Sequence, residues 1–485
     1  MQKAGKITTG MVTILLCLAW SLNAYSQTSP QLAPVNQAPE TLVATYNATE
    51  SDHLNELAAD LAFVKSELAK KADKPNTSKG WSSPKFGGRV FVDYISAMNH
   101  DWDGLNNAIP SLNAVDTQNG VGFRDTRLTM TGTGYDFLDY KMEFGFQKAN
   151  PSFLDIFLGV QHVPILDYVR IGHQYVEDAG SEICNGTANY TFMEPPAPAG
   201  SQFMSRRLGI TSRHLFAADR VRLFFGVYDA NNYTDTHNYK ADNQGIVLNT
   251  RMTMAPVFCQ DGRQLFLYGA YYNCVDSVSN SKRAMSFSKP GGWDVYNPNL
   301  DLGSFYSDQY QKAGFEVTCQ SGRFCVQTDL FLQHYSDVNN GAVGAAYEGI
   351  GNQTNYGGMV MARWFLTQGD YRKYNLKSAC WDSVDVSRPF RFGNQEGVNW
   401  PSGCGAWELA AMYGFYDAFA FSSIIPAADD AKMRNQQIGA ALNWYWNPHV
   451  KWAVNYIHDM TDTRYAGNSY TPNGDYLGMS CRFAF

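Results

Sequence analysis

Mean hydropathy is low in this 485-residue chain, −0.32, which excludes a bundle of membrane helices. Charge is sparse too. Only 17% of residues are charged and the 38 basic residues are outnumbered by 45 acidic ones, so the chain lacks the concentrated basic surface that neutralising a nucleic acid demands. The motifs of familiar hydrolases are missing as well. There is no GxSxG, no HExxH, no CxxC and no His pair at metal-ligand spacing, so His100, His237 and His334 point to no catalytic constellation, and neither enzyme activity nor a cofactor is expected. What is abundant is aromatic residues and glycine, with 29 Tyr, 29 Phe and 42 Gly, the balance of a β-rich chain.

The amino terminus reads as an export signal. Lys3 and Lys6 precede the apolar run 11–20, which ends at the small-x-small site Ala24-Tyr25-Ser26, so residues 1–26 are expected to be a cleaved signal peptide. Its removal leaves 36 basic against 45 acidic residues, a net charge of −9. Residues 27–42 form a Pro-containing linker. Leu54, Leu57, Leu61, Val64 and Leu68 then fall on a heptad seam, which predicts a short coiled-coil stalk over 43–72, followed by a second linker over 73–87.

From residue 88 to the end the period changes to two. Val90, Val92 and Tyr94 alternate with Arg89, Phe91 and Asp93; Tyr140, Met142, Phe144 and Phe146 alternate with Lys141, Glu143, Gly145 and Gln147. About sixteen such segments can be counted, joined by connections that are alternately long and short. The chain closes on Leu477, Met479, Cys481, Phe483 and Phe485 facing one way. In an exported chain without membrane helices, this pattern predicts an all-β fold: a transmembrane antiparallel barrel of about sixteen strands over 88–485, set in outer-membrane lipid. The twelfth connection, residues 368–403, is too long for a plain turn and is expected to fold into the lumen.

Several blocks give the sequence a likeness to a known family. Phe123-Arg124-Asp125-Thr126-Arg127-Leu128, Thr191-Phe192-Met193-Glu194, the run from Phe365 to Arg372, Gly405-Ala406-Trp407-Glu408 and Leu442-Asn443-Trp444-Tyr445-Trp446-Asn447-Pro448 resemble the phosphate-selective porins of the porin O and P type. The resemblance implies a homotrimeric outer-membrane channel with an inward-folded constriction and a basic lumen that passes small inorganic anions. In two features the sequence departs from the family. Asp125 stands where another basic residue is usual, and the expected constriction loop, 175–205, carries Glu177, Asp178, Glu182 and Glu194.

Strand parity can be used independently to sort side chains. It places Arg89, Arg127, Lys141, Arg170, Arg207, Arg213, Arg220, Arg222, Arg251, Lys312, Arg323, Arg363, Lys451 and Arg482 towards the lumen. Asp93, Asp125, Asp139, Glu143, Asp155, Glu316, Asp329 and Glu408 share that face. The excess of cations predicts an anion-preferring wall, with Arg89, Arg127, Lys141, Arg170, Arg207, Arg213, Arg222 and Arg251 as pore-lining anion-binding residues. In the alternative reading these arginines pair with lumen acids, leaving a non-specific or cation-leaning porin with a mainly structural, envelope-anchoring role. Eight cysteines remain after export, and sequence position offers Cys319 with Cys325, Cys380 with Cys404, or Cys184 with Cys274 as pairs.

Overall fold

The computed structural model describes residues 80–100, 119–146, 151–196, 199, 202–230, 245–288, 299–338, 351–391, 403–419, 432–465 and 468–485. The expected signal peptide, first linker and stalk lie outside these residues, as do residues 73–79 of the second linker, whose last three residues already belong to the first strand.

The strands follow from the period-two pattern. In chain order they are β1 (Lys85–His100), β2 (Gly120–Gly134), β3 (Leu138–Gly145), β4 (Ser152–Val163), β5 (Asp167–Tyr175), β6 (Arg206–Phe216), β7 (Val221–Asp229) and β8 (Ile246–Cys259). Next come β9 (Gln264–Ser288), β10 (Asn299–Ser321), β11 (Phe324–Val338), β12 (Gly351–Phe365), β13 (Tyr371–Asn375) and β14 (Cys380–Asp385). The last are β15 (Ala406–Phe419), β16 (Lys432–Asn447), β17 (Val450–Tyr465), β18 (Asn468–Tyr470) and β19 (Asn473–Ala484). Sixteen of them form one closed antiparallel barrel, because β1 pairs with β2 on one side and with β19 on the other. Closure leaves no unpaired edge in the hydrocarbon. Gly88 and Phe485 complete the seam by exchanging backbone hydrogen bonds of 2.9 Å in both directions.

Alternation sets which side chains meet lipid. Val92 and Tyr94 of β1 face outward while Phe91, Asp93 and Ile95 are buried inside, as the sequence pattern requires. At the short-turn end an outer aromatic cluster gathers, with Trp407 stacked on Trp444 at 5.0 Å and Trp446 near Trp452 at 6.0 Å. Such amphipathic rings suit the level of the lipid headgroups.

Among the described residues, two segments enter the lumen. Residues 176–196, between β5 and β6, cross it with little regular structure of their own, while β13 and β14 form a hairpin within the twelfth connection. Apolar side chains seat both. Phe192 and Met193 pack with Ile95, Met412 and Ile457, and Tyr374 and Trp381 with Leu265, Leu267 and Cys325. The hairpin enters from the end where the even-numbered connections are short, since it joins β12 to β15.

Met252 lies midway along β8 with its side chain directed outward. A charge there would sit near the bilayer midplane, so Met252→Arg is expected to destabilise the folded barrel by about 2–4 kcal/mol. The urea midpoint for reversible folding into lipid vesicles would measure this.

Candidate functional site

A loop without a strand ladder must find other partners for its backbone, and the wall supplies them. Gly180 N–H donates to Asp329 at 2.7 Å, and Ser181 donates to Glu316 through its backbone N–H at 2.8 Å and its hydroxyl at 2.6 Å. On the opposite wall Lys451 Nζ donates to the carbonyls of Tyr190 and Thr191, both at 2.9 Å. Arg482 donates to the carbonyls of Thr187 at 3.0 Å and Met193 at 2.8 Å. The loop is thereby tied across the whole lumen.

Its acids return the exchange. Glu177 receives both terminal nitrogens of Arg222, at 2.8 and 2.6 Å, and is also reached by Arg251 at 3.4 Å. Burial alone would raise the Glu177 carboxyl, but Arg222 and Arg251 hold it below the ordinary carboxylate range. Asp178 goes the other way, since burial raises it and Lys312, at 3.4 Å, offsets only part of that cost. Glu182 lies 4.0 Å from Arg363 and 3.9 Å from Arg372, and Glu194 pairs with Arg124.

The eight cations expected to line the pore fall into distinct settings. Arg89, Arg127 and Lys141 join Asp125, Glu143 and Asp155 in one cluster: Arg89 meets Asp125 at 2.9 Å, Arg127 meets Glu143 at 2.6 Å and Lys141 meets Asp155 at 2.6 Å. Arg222 and Arg251 belong to the buried pairs with Glu177, and Arg251 also meets Glu316 at 2.8 Å. Arg207 is half-buried at the start of β6, with a terminal nitrogen 3.5 Å from the Arg206 carbonyl. Arg170 and Arg213 differ from the rest. Neither belongs to an ion pair among the described residues. Arg170 donates to the Tyr168 hydroxyl at 3.0 Å, and Arg213 lies over the Tyr168 ring at 4.7 Å while donating to the Lys377 carbonyl at 3.2 Å. With Lys377 they line a cavity of about 520 Å³ at the short-turn end, which also receives Asp139, Asp167 and Asp219. A second, smaller cavity of about 70 Å³ is lined by Arg372, Lys451 and Arg482 on the other side of the hairpin.

Some expectations need correction. Arg220 and Arg323 lie in turns instead of along the lumen: Arg220 donates to the Pro256 and Phe258 carbonyls at 3.2 and 3.0 Å, and Arg323 to the Leu366 carbonyl at 3.3 Å. Cys319 points outward and Cys325 into the lumen, so sheet parity separates that pair; Cys274 likewise lies on the opposite face from its buried neighbours Asn273 and Val275. Strand parity does not assign Arg124 or Arg206 to the lumen, yet both face it. The register between β1 and β2 shifts where Phe91 pairs Asp125 and Val92 pairs Phe123, which leaves Arg124 as an extra residue that turns towards Glu194. Arg206 lies over Tyr175 at 3.9 Å and pairs with Asp155 from the first position of β6. Both arginines stand at irregularities that alternation does not reveal.

Removing the carboxylate that Arg222 and Arg251 share leaves buried Arg222 short of a counter-charge and Arg251 with Glu316 alone. Glu177→Gln is therefore expected to cost about 3–5 kcal/mol of stability at neutral pH. Because the native carboxyl is depressed, its contribution is present above the unfolded pKa and lost as pH falls through the folded value. Denaturant midpoints of both proteins across that range test the assignment; a difference below about 1 kcal/mol at neutral pH would place Glu177 in the class of solvent-screened pairs.

The family model described as phosphate-selective porin O and P matches residues 98–485, and the chain belongs to that family. It is accordingly an outer-membrane β-barrel of the porin class. No curated protein matches the chain. Among solved structures, in-vitro folded OmpT of Vibrio cholerae is similar at 12% identity and TM-score 0.48, covering 85% of this chain and 100% of that one. The outer membrane channel DcaP of Acinetobacter baumannii is similar at 11% identity and TM-score 0.44, covering 84% and 98%. An anion-selective porin from Comamonas acidovorans is similar at 12% identity and TM-score 0.43, covering 83% and 99%.

Proposed function

We propose that this member of the porin O and P family is a passive channel for small hydrophilic solutes that prefers small anions, phosphate among them. The observation that carries this reading is the pair Arg170 and Arg213, which face a cavity of about 520 Å³ together with Lys377 while their hydrogen bonds go to a hydroxyl and a carbonyl. Neutral acceptors orient a guanidinium without cancelling its charge, so both guanidinium groups are available to an anion at this mouth, in competition with Asp139, Asp167 and Asp219 of the same cavity. Of the other proposed anion-binding residues, Arg89 and Lys141 are partly exposed but paired with acids, Arg127, Arg222 and Arg251 are buried in ion pairs, and Arg207 is half-buried, so they support the reading less directly.

Assembly as a homotrimer, export by a signal peptide over 1–26 and a coiled-coil stalk over 43–72 complete the reading, supported by the family resemblance and by the sequence pattern respectively. A cation-leaning channel is the competing outcome, and the observation that favours it is that Glu177, Asp178 and Glu182 lie inside the lumen.

Reversal potential in planar bilayers across a KCl gradient decides between them. The wild-type channel is expected to give an anion-selective sign and to be blocked by added phosphate. Arg170→Glu combined with Arg213→Glu is expected to move the reversal potential towards cation selectivity and to lower chloride current several-fold. An unchanged reversal potential would remove these two residues from the selective zone.

A further inference from the structure

Of the cysteine pairs that sequence position offers, the fold separates two and sets a different two side by side. Cys184 lies buried in the constriction loop and Cys380 opens β14 of the lumen hairpin, 196 residues later. The Cys380 thiol donates to the Cys184 carbonyl at 3.0 Å, and both residues pack in the same apolar cluster with Val176, Ile183 and Tyr228. Cys404, the expected partner of Cys380, is exposed beside β15 and donates instead to the Gly405 carbonyl at 3.4 Å.

The two segments already meet at several points around the thiols. The Ser181 hydroxyl lies 2.8 Å from the Tyr374 hydroxyl, Asn189 donates to the Trp381 carbonyl at 3.2 Å, and Arg251 bridges the Ser181 hydroxyl at 3.3 Å and the Ala379 carbonyl at 2.9 Å. These contacts fix loop and hairpin in one register before any covalent bond forms. Cys380 is half-buried, its thiol also reaches the Ser378 carbonyl at 3.2 Å, and the adjoining hairpin turn opens through Lys377 onto the cavity of about 520 Å³ at the short-turn end.

We propose that Cys184 and Cys380 are a covalent modification site, a disulfide that clips the constriction loop to the lumen hairpin and so joins the inserts that enter from opposite ends of the barrel. The chain passes through an oxidising compartment on its way to the outer membrane, where such bonds form and persist. The oxidant is a disulfide arriving from the short-turn mouth, either oxidised glutathione or the disulfide of an envelope dithiol catalyst. The Cys380 thiolate attacks it, forming a mixed disulfide and releasing one thiolate. The Cys184 thiolate then attacks the Cys380 sulfur, forming the internal bond and expelling the second thiolate. The two protons lost by the cysteines are taken up by those two thiolates, and the oxidant is reduced by two electrons. Burial pushes the Cys380 thiol up to about 11, so exchange in the folded barrel is slow near neutrality and accelerates with pH.

The test uses the full-length porin isolated from outer membranes with N-ethylmaleimide present from lysis onward, then denatured and digested without reductant. A peptide pair joining residues 184 and 380, abolished by dithiothreitol, is the expected result. Alkylation of both cysteines in the unreduced protein overturns the proposal, as does linkage of either one to a different cysteine. Cys184→Ser supplies the second arm: Cys380 is expected to become fully alkylated, and a Cys380 that stays blocked in this variant would assign it another partner. Reduced porin in detergent, treated with oxidised glutathione at rising pH, is expected to regain the same link at least several-fold faster at pH 9 than at pH 7. Accumulation of glutathione on Cys380 without closure would show the thiols to be too far apart.

Discussion

The interior of this barrel depends on an exchange of charge between its wall and the loop that crosses it. Residues 176–193 lack a strand ladder, so each buried N–H and carbonyl in the segment needs a partner from elsewhere. Wall acids Glu316 and Asp329 accept from the loop backbone, wall cations Lys451 and Arg482 donate to it, and loop acids Glu177 and Asp178 meet Arg222, Arg251 and Lys312. Buried charges are tolerated only when each finds such a partner, and that requirement couples the position of the constriction to the sequence of strands far apart in the chain.

Much of the barrel can be read from the sequence because lipid and lumen impose opposite demands on successive residues. Period-two alternation in Val90–Tyr94 and in Leu477–Phe485 fixes which side meets lipid, and the closed sixteen-stranded sheet follows from repeating it. The long twelfth connection is marked by length alone, and it does fold inward as the hairpin of β13 and β14. Parity fails at Arg124, where a register shift inserts an extra residue, and at Arg220 and Arg323, which lie in turns where alternation carries no meaning. Cysteine pairing fails for a related reason. Proximity in sequence, as for Cys319 and Cys325, says nothing about the face of the sheet, whereas Cys184 and Cys380 are brought together by two inserts whose paths no local pattern encodes.

The same limit applies to charge. Counting only strand residues gives a lumen rich in arginine, but Glu177, Asp178, Glu182 and Glu194 occupy that compartment once the loop is inside it. Arg206 and Arg372 add charge that the strand count omits, and both are engaged by residues of the wall or the loop. The net sign of the wall is therefore a poor guide to the field along the solute path. What matters is which cations are neutralised by carboxylates and which are merely held.

That distinction separates the two ends of the hairpin's binding site. Arg222 and Arg251 both donate to hairpin carbonyls, those of Lys377 and Ala379, yet each also carries a carboxylate partner that offsets its charge. Arg213 donates to the Lys377 carbonyl too, but its other close neighbour is the face of the Tyr168 ring. A carbonyl and an aromatic face fix a guanidinium in place while leaving its positive charge intact. The hairpin turn thus holds Arg213 at the wall of a cavity it shares with Asp139, Asp167 and Asp219, and the inward fold of the twelfth connection turns a structural contact into a candidate determinant of selectivity.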